Sequence, residues 1–402
     1  MTGSGSARTA VVVGGGPGGL MAAEVLAQGG CAVTVVEHMP SVGRKFLLAG
    51  RSGLNLTHSE AIDMMLARYG NQAGRLESAL RAFDGDALRA WSAGLGEPTF
   101  VGTSGRVFPH SLRATPLLRA WLHRLATLGV VFETRTRWLG WDDDAVVLEH
   151  AGQRKMVRPD VTVLSLGGAS WPRVGSDGGW VPILRNAGVV VNDLRPANCG
   201  VEIEWSADFA NLFAGQPLKN VALSISGLSV RGDAMITSSG MEGGPVYSLS
   251  APIRDAVDRG MAVLAVDLQP DLEVDRVADR LRRRRPKDSM SSTLKRTMGL
   301  SATTIAWLRE VVAAPLPTTP DELAALLKEV PLPVQGVVPI DRAISSAGGV
   351  SMDEVDESFM LRRKPGTYVV GEMLDWEAPT GGFLLQATFA TAVAAAQAAL
   401  LA

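Results

Sequence analysis

The chain is poor in the residues that build disulfide and metal chemistry. It has two cysteines, Cys31 and Cys199, among 402 residues. That excludes a disulfide framework and a cysteine-rich metal site, and it suits a reducing, cytoplasmic compartment. Five histidines are scattered with no H-x-x-x-H pair, so no metal ligand set is expected. There is little imbalance of charge either, 39 Lys and Arg against 41 Asp and Glu. A net of −2 implies no general attraction to nucleic acid or membrane. No signal peptide is read, since residues 1–9 are small and polar and the apolar run after them belongs to a strand. Phe383 to Ala402 is nearly all apolar and about the length of a membrane span. It is Ala-rich, carries Gln386 and Gln397, and is expected to be a helix buried against a sheet.

What is present points to an α/β nucleotide-binding protein. Glycine is abundant at 44 residues, hydrophobic content is 46% and charged content 20%, as in a well-cored soluble chain. The length predicts two or three domains. The organising stretch is Ala10 to Glu37. Val11 to Val13 is a short β-branched run. Gly14-Gly15-Gly16-Pro17-Gly18-Gly19 then fits G-x-G-x-x-G, with Gly14, Gly16 and Gly19 in the glycine places. Leu20 to Gln28 follows as a helix, and Ala32 to Val36 as a second strand ending on Glu37. Strand, glycine turn, helix, strand and acid make the βαβ dinucleotide fingerprint. Gly14 permits the turn, Gly16 lets backbone approach a pyrophosphate, and Gly19 lets helix and strand pack. The helix N-terminus offers a positive dipole end to phosphate. Glu37 stands where a carboxylate accepts ribose hydroxyls, and it argues against a 2′-phosphate there.

A loop rich in Gly and Arg follows, in which Arg44 and Lys45 are placed to neutralise pyrophosphate. Residues 60–98 read as helices, and Thr115 to Leu128 as an amphipathic helix. Val130 to Glu133, Arg135 to Trp141 and Ala145 to His150 read as strands of a β-meander. Val161 to Leu166 is a buried-type strand ending in Gly167-Gly168, where open α/β sheets place ligands. From Asn192 the character changes. Strands are expected around 201–205, 218–225, 233–237 and 263–268, and helices over Val274 to Ala313 and Pro320 to Val330. The basic run Arg282 to Arg285 is read as a solvated helix face, because it stands alone in sequence. Residues 191–340 therefore read as an insertion of β and helical character. The main domain returns with a strand ending in Gly371-Glu372, and Pro379-Thr380-Gly381-Gly382 opens the final helix.

This layout resembles FAD enzymes of the glutathione-reductase-like class, and more closely the bacterial aminoacetone-oxidase/BaiN-like flavoproteins. The matching pieces are VVVGGGPGGLMAAEVLA, GRKFLLAGRSGLNLTH, GRVFPHS, LSLGGASWPRVGSDGG, AISSAGGVSMDEVD and VVGEMLDWEAPTGGFLLQATF, in order along the whole chain. The resemblance implies an α/β fold: a Rossmann-like FAD-binding domain (1–190 and 341–402), an inserted β-barrel-like domain (191–270), and a helical subdomain with the return (271–340). It implies non-covalent FAD. Gly14, Gly16, Pro17, Gly18 and Gly19 would line the pyrophosphate and Glu37 would hold the ribose. Arg44, Lys45, Gly50, Ser52 and Asn55 would follow the dinucleotide toward the flavin. Gly167 and Gly168 would lie beside the adenine half, Glu372 and Asp375 would face the ribityl chain, and Gly381, Gly382 and Gln386 the pyrimidine end of the isoalloxazine. Where many members read Gly-Gly-Gly-Arg-Cys-Asn, this chain reads Gly50 to Asn55 with Leu54 in the cysteine's place, so thiol chemistry at that point is lost.

The leading expectation is an FAD-dependent oxidoreductase acting on a small organic substrate, with the flavin carrying the hydride chemistry. Thr237, Glu242 and Tyr247 are the candidates for polar catalytic groups, and His58 and His110 lesser candidates for proton transfer. One fingerprint leaves no second Rossmann site for NAD(P)H, which favours a substrate giving hydride directly to the flavin with oxygen or another acceptor as partner. The alternatives are an NAD(P)H-dependent reductase of a conjugated double bond, a flavin-binding redox protein without rapid turnover, and an NAD-only dehydrogenase.

Overall fold

A computed structural model describes residues 7–50 and 53–402 of the chain. Two compact units divide it, one of residues 1–195 with 345–402 and one of 196–344. In the first, β1 (Thr9–Val13), β2 (Ala32–Glu37), β3 (Val131–Thr134), β4 (Val161–Leu164) and β5 (Thr367–Val369) form one sheet, in the order β5-β4-β1-β2-β3. Every pairing in it is parallel. The central strands are apolar at nearly every position because both faces are covered. The chain goes from β1 to β2 on one side and later fills β4 on the other, so β1 and β4 mark the switch point where such sheets bind ligands.

Helix α1 (Pro17–Gln28) links β1 to β2, with Pro17 at its first position where a missing N–H costs nothing. Helix α2 (Arg44–Ala49) stands where a loop was expected. Gly43, left-handed at φ 72°, starts it, and the N–H of Gly43 donates to Gly15 O at 2.8 Å. Helix α3 is Ala114–Thr127 and α4 is Phe383–Leu401. By length and composition α4 could cross a membrane, but its Phe389, Ala390, Ala392, Ala395 and Ala396 are fully buried. It packs on α1 and on the helix Ala73–Ala82.

The expected meander forms one strand later than read. Residues 131–134 join the main sheet against β2, and Arg135, at φ 54°, breaks the chain before the meander of Thr136–Asp142, Ala145–His150 and Gln153–Val157. An unpaired edge of β2 outcompetes a third hairpin strand, a contest sequence alone does not display.

The second unit holds a seven-stranded sheet in the order Val330–Pro333, Val263–Asp267, Pro217–Ile225, Leu228–Thr237, Gly240–Gly243, Val201–Glu202, Gly336–Val337. All its pairings are antiparallel. The helical stretch expected over 274–313 is three helices: Val274–Leu281, Met290–Met298 and Ala302–Val312. Pro286, without an N–H, separates the first two, and Gly299 at φ 68° ends the second. Leu281, Leu294 and Trp307 from these helices, with Leu323 of the helix Pro320–Lys328, share one core with Leu223, Ile236 and Leu264 of the sheet.

Candidate active site

The fingerprint glycines are fixed by contact. A Cβ on Gly14, which sits at φ 103°, would lie 2.2 Å from Ser165 O, and one on Gly19 would lie 1.9 Å from Gly14 O. These two glycines let the turn press against the end of β4 and against its own helix. Gly16 differs: a Cβ there would meet nothing within 4 Å, so bare backbone faces open space at the start of α1. Gly18 lies under Ser165 and Thr388, and Gly50 under Ala114 at the start of α3.

Glu37 closes β2 at 9% exposure. Its Oε2 accepts from the Gly15 N–H at 2.9 Å and its Oε1 from the Met39 N–H at 2.8 Å, with His38 Nδ1 at 3.2 Å. The carboxylate is thereby aimed across the glycine turn, with no Lys or Arg among its ion-pair contacts within the described residues. A cavity of about 250 Å³ opens beside it, among others between Val13 and Val36 at the carboxyl ends of β1 and β2, Leu166 after β4, Trp138 of the meander, Trp180 and His38. Trp180 Nε1 donates to Gly167 O at 2.8 Å, which ties the glycine pair after β4 to the cavity wall. His38 and Trp180 were missed in the sequence. His38 had a signal, since it directly follows the ribose acid; Trp180 had none.

A second polar cluster forms around Lys45 and Glu372, which are 327 residues apart. Lys45 Nζ donates to Glu372 Oε2 at 2.6 Å and to Ser170 Oγ at 2.7 Å, with Ser176 Oγ at 3.4 Å. Glu372 Oε1 accepts from the Ser346 N–H at 2.9 Å. A Cβ on Gly168 would strike Ser346 Oγ at 2.2 Å, and one on Gly167 would approach Ser176 and Glu372. Thus Gly167, Gly168, Lys45 and Glu372, assigned by resemblance to different parts of a dinucleotide, stand together. Lys45 is held by Glu372 rather than free for phosphate. Arg44 is the freer cation: its NH1 reaches Ser41 Oγ at 3.3 Å, and its buried Nε has no partner among the described residues. Asn55 Oδ1 is also buried without a partner among the described residues.

Several expected positions are used otherwise. Ser52 lies outside the described residues. Asp375 Oδ2 accepts from Asn192 Nδ2 at 2.7 Å. Gln386 is fully buried and donates from Nε2 to Phe83 O at 2.6 Å, so its amide nitrogen fastens α4 to the helical layer instead of facing a ring. Gly381 and Gly382 sit at φ 137° and 96°, and a Cβ on Gly382 would lie 2.5 Å from the Thr57 backbone. His58 is not free for proton transfer: its Nδ1 accepts from the Glu60 N–H at 3.2 Å, its Nε2 donates to Ser104 O at 3.0 Å, and its ring stacks on Phe383. His110 is exposed with its ring against Phe100.

In the second unit, Glu242 and Tyr247 come together. The strand Gly240–Gly243 feeds directly into the short helix Gly244–Ser248, which brings the Tyr247 hydroxyl to the Glu242 carboxylate and the Gly243 N–H. Burial first, and then the Glu242 charge, push the Tyr247 hydroxyl up to about 12, against the pull of the Gly243 amide. Thr237 pairs with Gly240 and shares a sheet face with Glu242, but its Oγ1 accepts from the Ser239 N–H at 3.4 Å and closes the turn.

A parallel sheet with a glycine turn at its switch point and an acid closing the second strand defines a dinucleotide-binding α/β fold. The chain belongs to the HI0933-like protein Rossmann domain family, whose pattern matches residues 8–398. It is 26% identical to the 3-dehydro-bile acid delta(4,6)-reductase of Clostridium scindens, over 96% of this chain and 98% of that protein. It is 22% identical to the ribosomal RNA dihydrouridine synthase of Escherichia coli, over 96% of this chain and 97% of that protein. Among solved structures, the 3-ketosteroid delta1-dehydrogenase of Sterolibacterium denitrificans shares the fold with a TM-score of 0.54 at 11% identity, covering 98% of this chain and all of that one. The protein is an FAD-dependent oxidoreductase.

Proposed function

We propose that this enzyme moves a hydride between FAD and one carbon of a small organic molecule whose carbon–carbon double bond is conjugated to a carbonyl. The observation that carries the cofactor half is the geometry around Glu37: an acid aimed across the glycine turn beside a 250 Å³ cavity at the sheet's switch point. The residues fit the group. Glu37 holds the adenosine ribose, Gly16 and the start of α1 meet the pyrophosphate, and Arg44 with its unpartnered Nε supplies the cation. Lys45 acts on Glu372, fixing a carboxylate that offers its remaining lone pairs to ribityl hydroxyls. FAD, when bound, supplies the hydride chemistry.

The substrate half is supported by the names of the relatives, each of which adds or removes hydrogen across a carbon–carbon bond. This moves the reading away from an amine oxidase and toward the double-bond reductase or its reverse. Saturating a conjugated bond needs a proton as well as a hydride. Tyr247 is the candidate donor, since it stays protonated through the physiological range and Glu242 and Gly243 fix its hydroxyl. NAD(P)H is the proposed electron donor and reaches the flavin without a Rossmann unit of its own.

Anaerobic stopped-flow reduction tests the reading. Bleaching of the flavin by NADH or NADPH, followed by reoxidation with an α,β-unsaturated ketone, is expected. Bleaching only by a small amine, with peroxide formed on admitting air, would replace it with an oxidase. Tyr247→Phe is expected to slow the reoxidation step by about 10²–10⁴-fold while retaining FAD.

A further inference from the structure

The basic run that stands alone in sequence does not stand alone in the fold. Residues 275–296 carry nine Lys and Arg against three Asp, a net of +6 in a chain whose total is −2, so all remaining residues together carry −8. The run Arg282–Lys287 forms the turn between the helices Val274–Leu281 and Met290–Met298, which pack together. Arg296 of the second helix donates to Arg283 O at 3.0 Å, which draws Lys295 and Arg296 to the same turn. Arg309, from the helix Ala302–Val312, donates to Ser291 Oγ at 2.8 Å. Cations of two packed helices and of the turn between them are thus exposed together, with Arg309 beside the start of the second helix.

Local electrostatics does not account for them. Arg280 and Arg282 suit the carboxyl end of the first helix, and Arg282 is already neutralised by Asp279 and Asp321. Arg283, Arg285 and Lys287 lie beyond that end and just before the positive end of the next helix, where cations are disfavoured and Asp288 is the local acid. Arg276, Arg280, Arg283, Lys287 and Lys295 enter none of the ion pairs formed among the described residues, while Arg296, and with it Arg285, helps hold the Asp288 carboxyl below its ordinary value. Holding unpaired like charges together weakens the fold unless a polyanion meets them.

We propose that this turn is a docking surface for the phosphodiester backbone of double-stranded nucleic acid. The cations are mostly arginines, whose planar guanidinium forks match phosphate oxygens in pairs. The run carries no aromatic residue, so bases are not stacked and the contact reads charge and shape rather than sequence. It also lacks an apolar centre of the kind a protein interface buries, which sets an acidic protein aside. The surface stands independently of the flavin chemistry.

The test uses the FAD-loaded full chain and fluorescence anisotropy with labelled blunt-ended RNA and DNA duplexes, at about 50 mM and about 200 mM salt. Binding of at least one duplex at low salt is expected, and the difference between the two says which nucleic acid is preferred. The triple variant Arg283→Glu, Arg285→Glu, Lys287→Glu is expected to weaken binding at least tenfold and to flatten the slope of log affinity against log salt by about 3. Its flavin spectrum and thermal midpoint should match those of the parent, which separates lost docking from lost folding. No binding at low salt, or binding that the triple variant leaves unchanged, overturns the proposal. Stronger, charge-dependent binding to phosphatidylserine vesicles than to either duplex overturns it in favour of a membrane surface.

Discussion

Two glutamates within the first 37 residues have opposite surroundings. Glu24, on α1, is 2% exposed and fully enclosed by donors: Trp121 Nε1 at 2.6 Å, Arg124 NH1 at 2.8 Å, Trp91 Nε1 at 3.1 Å and Gln28 Nε2 at 3.3 Å. Glu37 accepts from two backbone amides, has no Lys or Arg in its ion-pair contacts among the described residues, and stands between Val36 and His38, which line a cavity. A carboxylate neutralised on every side is a fastening between helices. One oriented by amides beside a cavity is prepared for a ligand. Two hydroxyls repeat the contrast. Tyr69 is buried with its hydroxyl on Phe383 O at 2.8 Å, whereas Tyr247 is half-buried against Glu242 and Gly243.

Removing residues 381–402 should abolish the contrast altogether. It strips α4 from α1 and from the helix Ala73–Ala82, exposing the apolar layer that encloses Glu24. We expect aggregated protein without FAD on size-exclusion chromatography. A soluble, flavin-binding product, or an intact chain that needs detergent for extraction, would show that α4 serves as an anchor rather than as core.

Glu24→Ala should be the costliest single change at either glutamate. It leaves Arg124 NH1 and two indole N–H groups without their acceptor, while Arg124 NH2 keeps Gly94 O, for about 3 kcal/mol of lost stability in denaturant unfolding. The FAD dissociation constant of the folded fraction should not move. If affinity falls and stability does not, Glu24 is misassigned as a fastening.

Glu37→Ala should reverse that pattern. Losing a charged acceptor for ribose hydroxyls should cost about 1.5–3 kcal/mol in FAD binding, roughly a 10- to 150-fold rise in dissociation constant, with apo stability little changed. Isothermal titration of the apoprotein with FAD decides it, and an unchanged constant would place the ribose elsewhere.

The smallest expected effect concerns the tyrosines. Burial raises all three of the chain's tyrosines, Tyr247 to about 12. A hydroxyl whose folded value is raised keeps its full contribution to stability below the ordinary tyrosine value of about 10 and loses it as pH climbs through the folded value. Phenolate absorbance should therefore grow in step with unfolding above about pH 10. A tyrosine titrating near pH 10 in intact protein would contradict the burial seen here.

Sequence by itself determined the elements whose partners lie close along the chain. β1, the glycine turn, α1, β2 and Glu37 are dictated within about thirty residues by backbone sterics, by positive φ at Gly14, and by apolar runs too short for helices. The final helix was legible from its own long, Ala-rich apolar run, although the helices it packs on, α1 and Ala73–Ala82, lie about 300 residues or more away. Only the tertiary structure decided which residues meet across the chain. It bound Lys45 to Glu372 over 327 positions, turned Gln386 onto Phe83, and used both nitrogens of His58 in a loop. It added residues 131–134 to the main sheet and brought Arg296 onto the turn at Arg283. Periodicity says which face of an element is buried. What that face meets depends on how separate elements pack, and no local spacing records it.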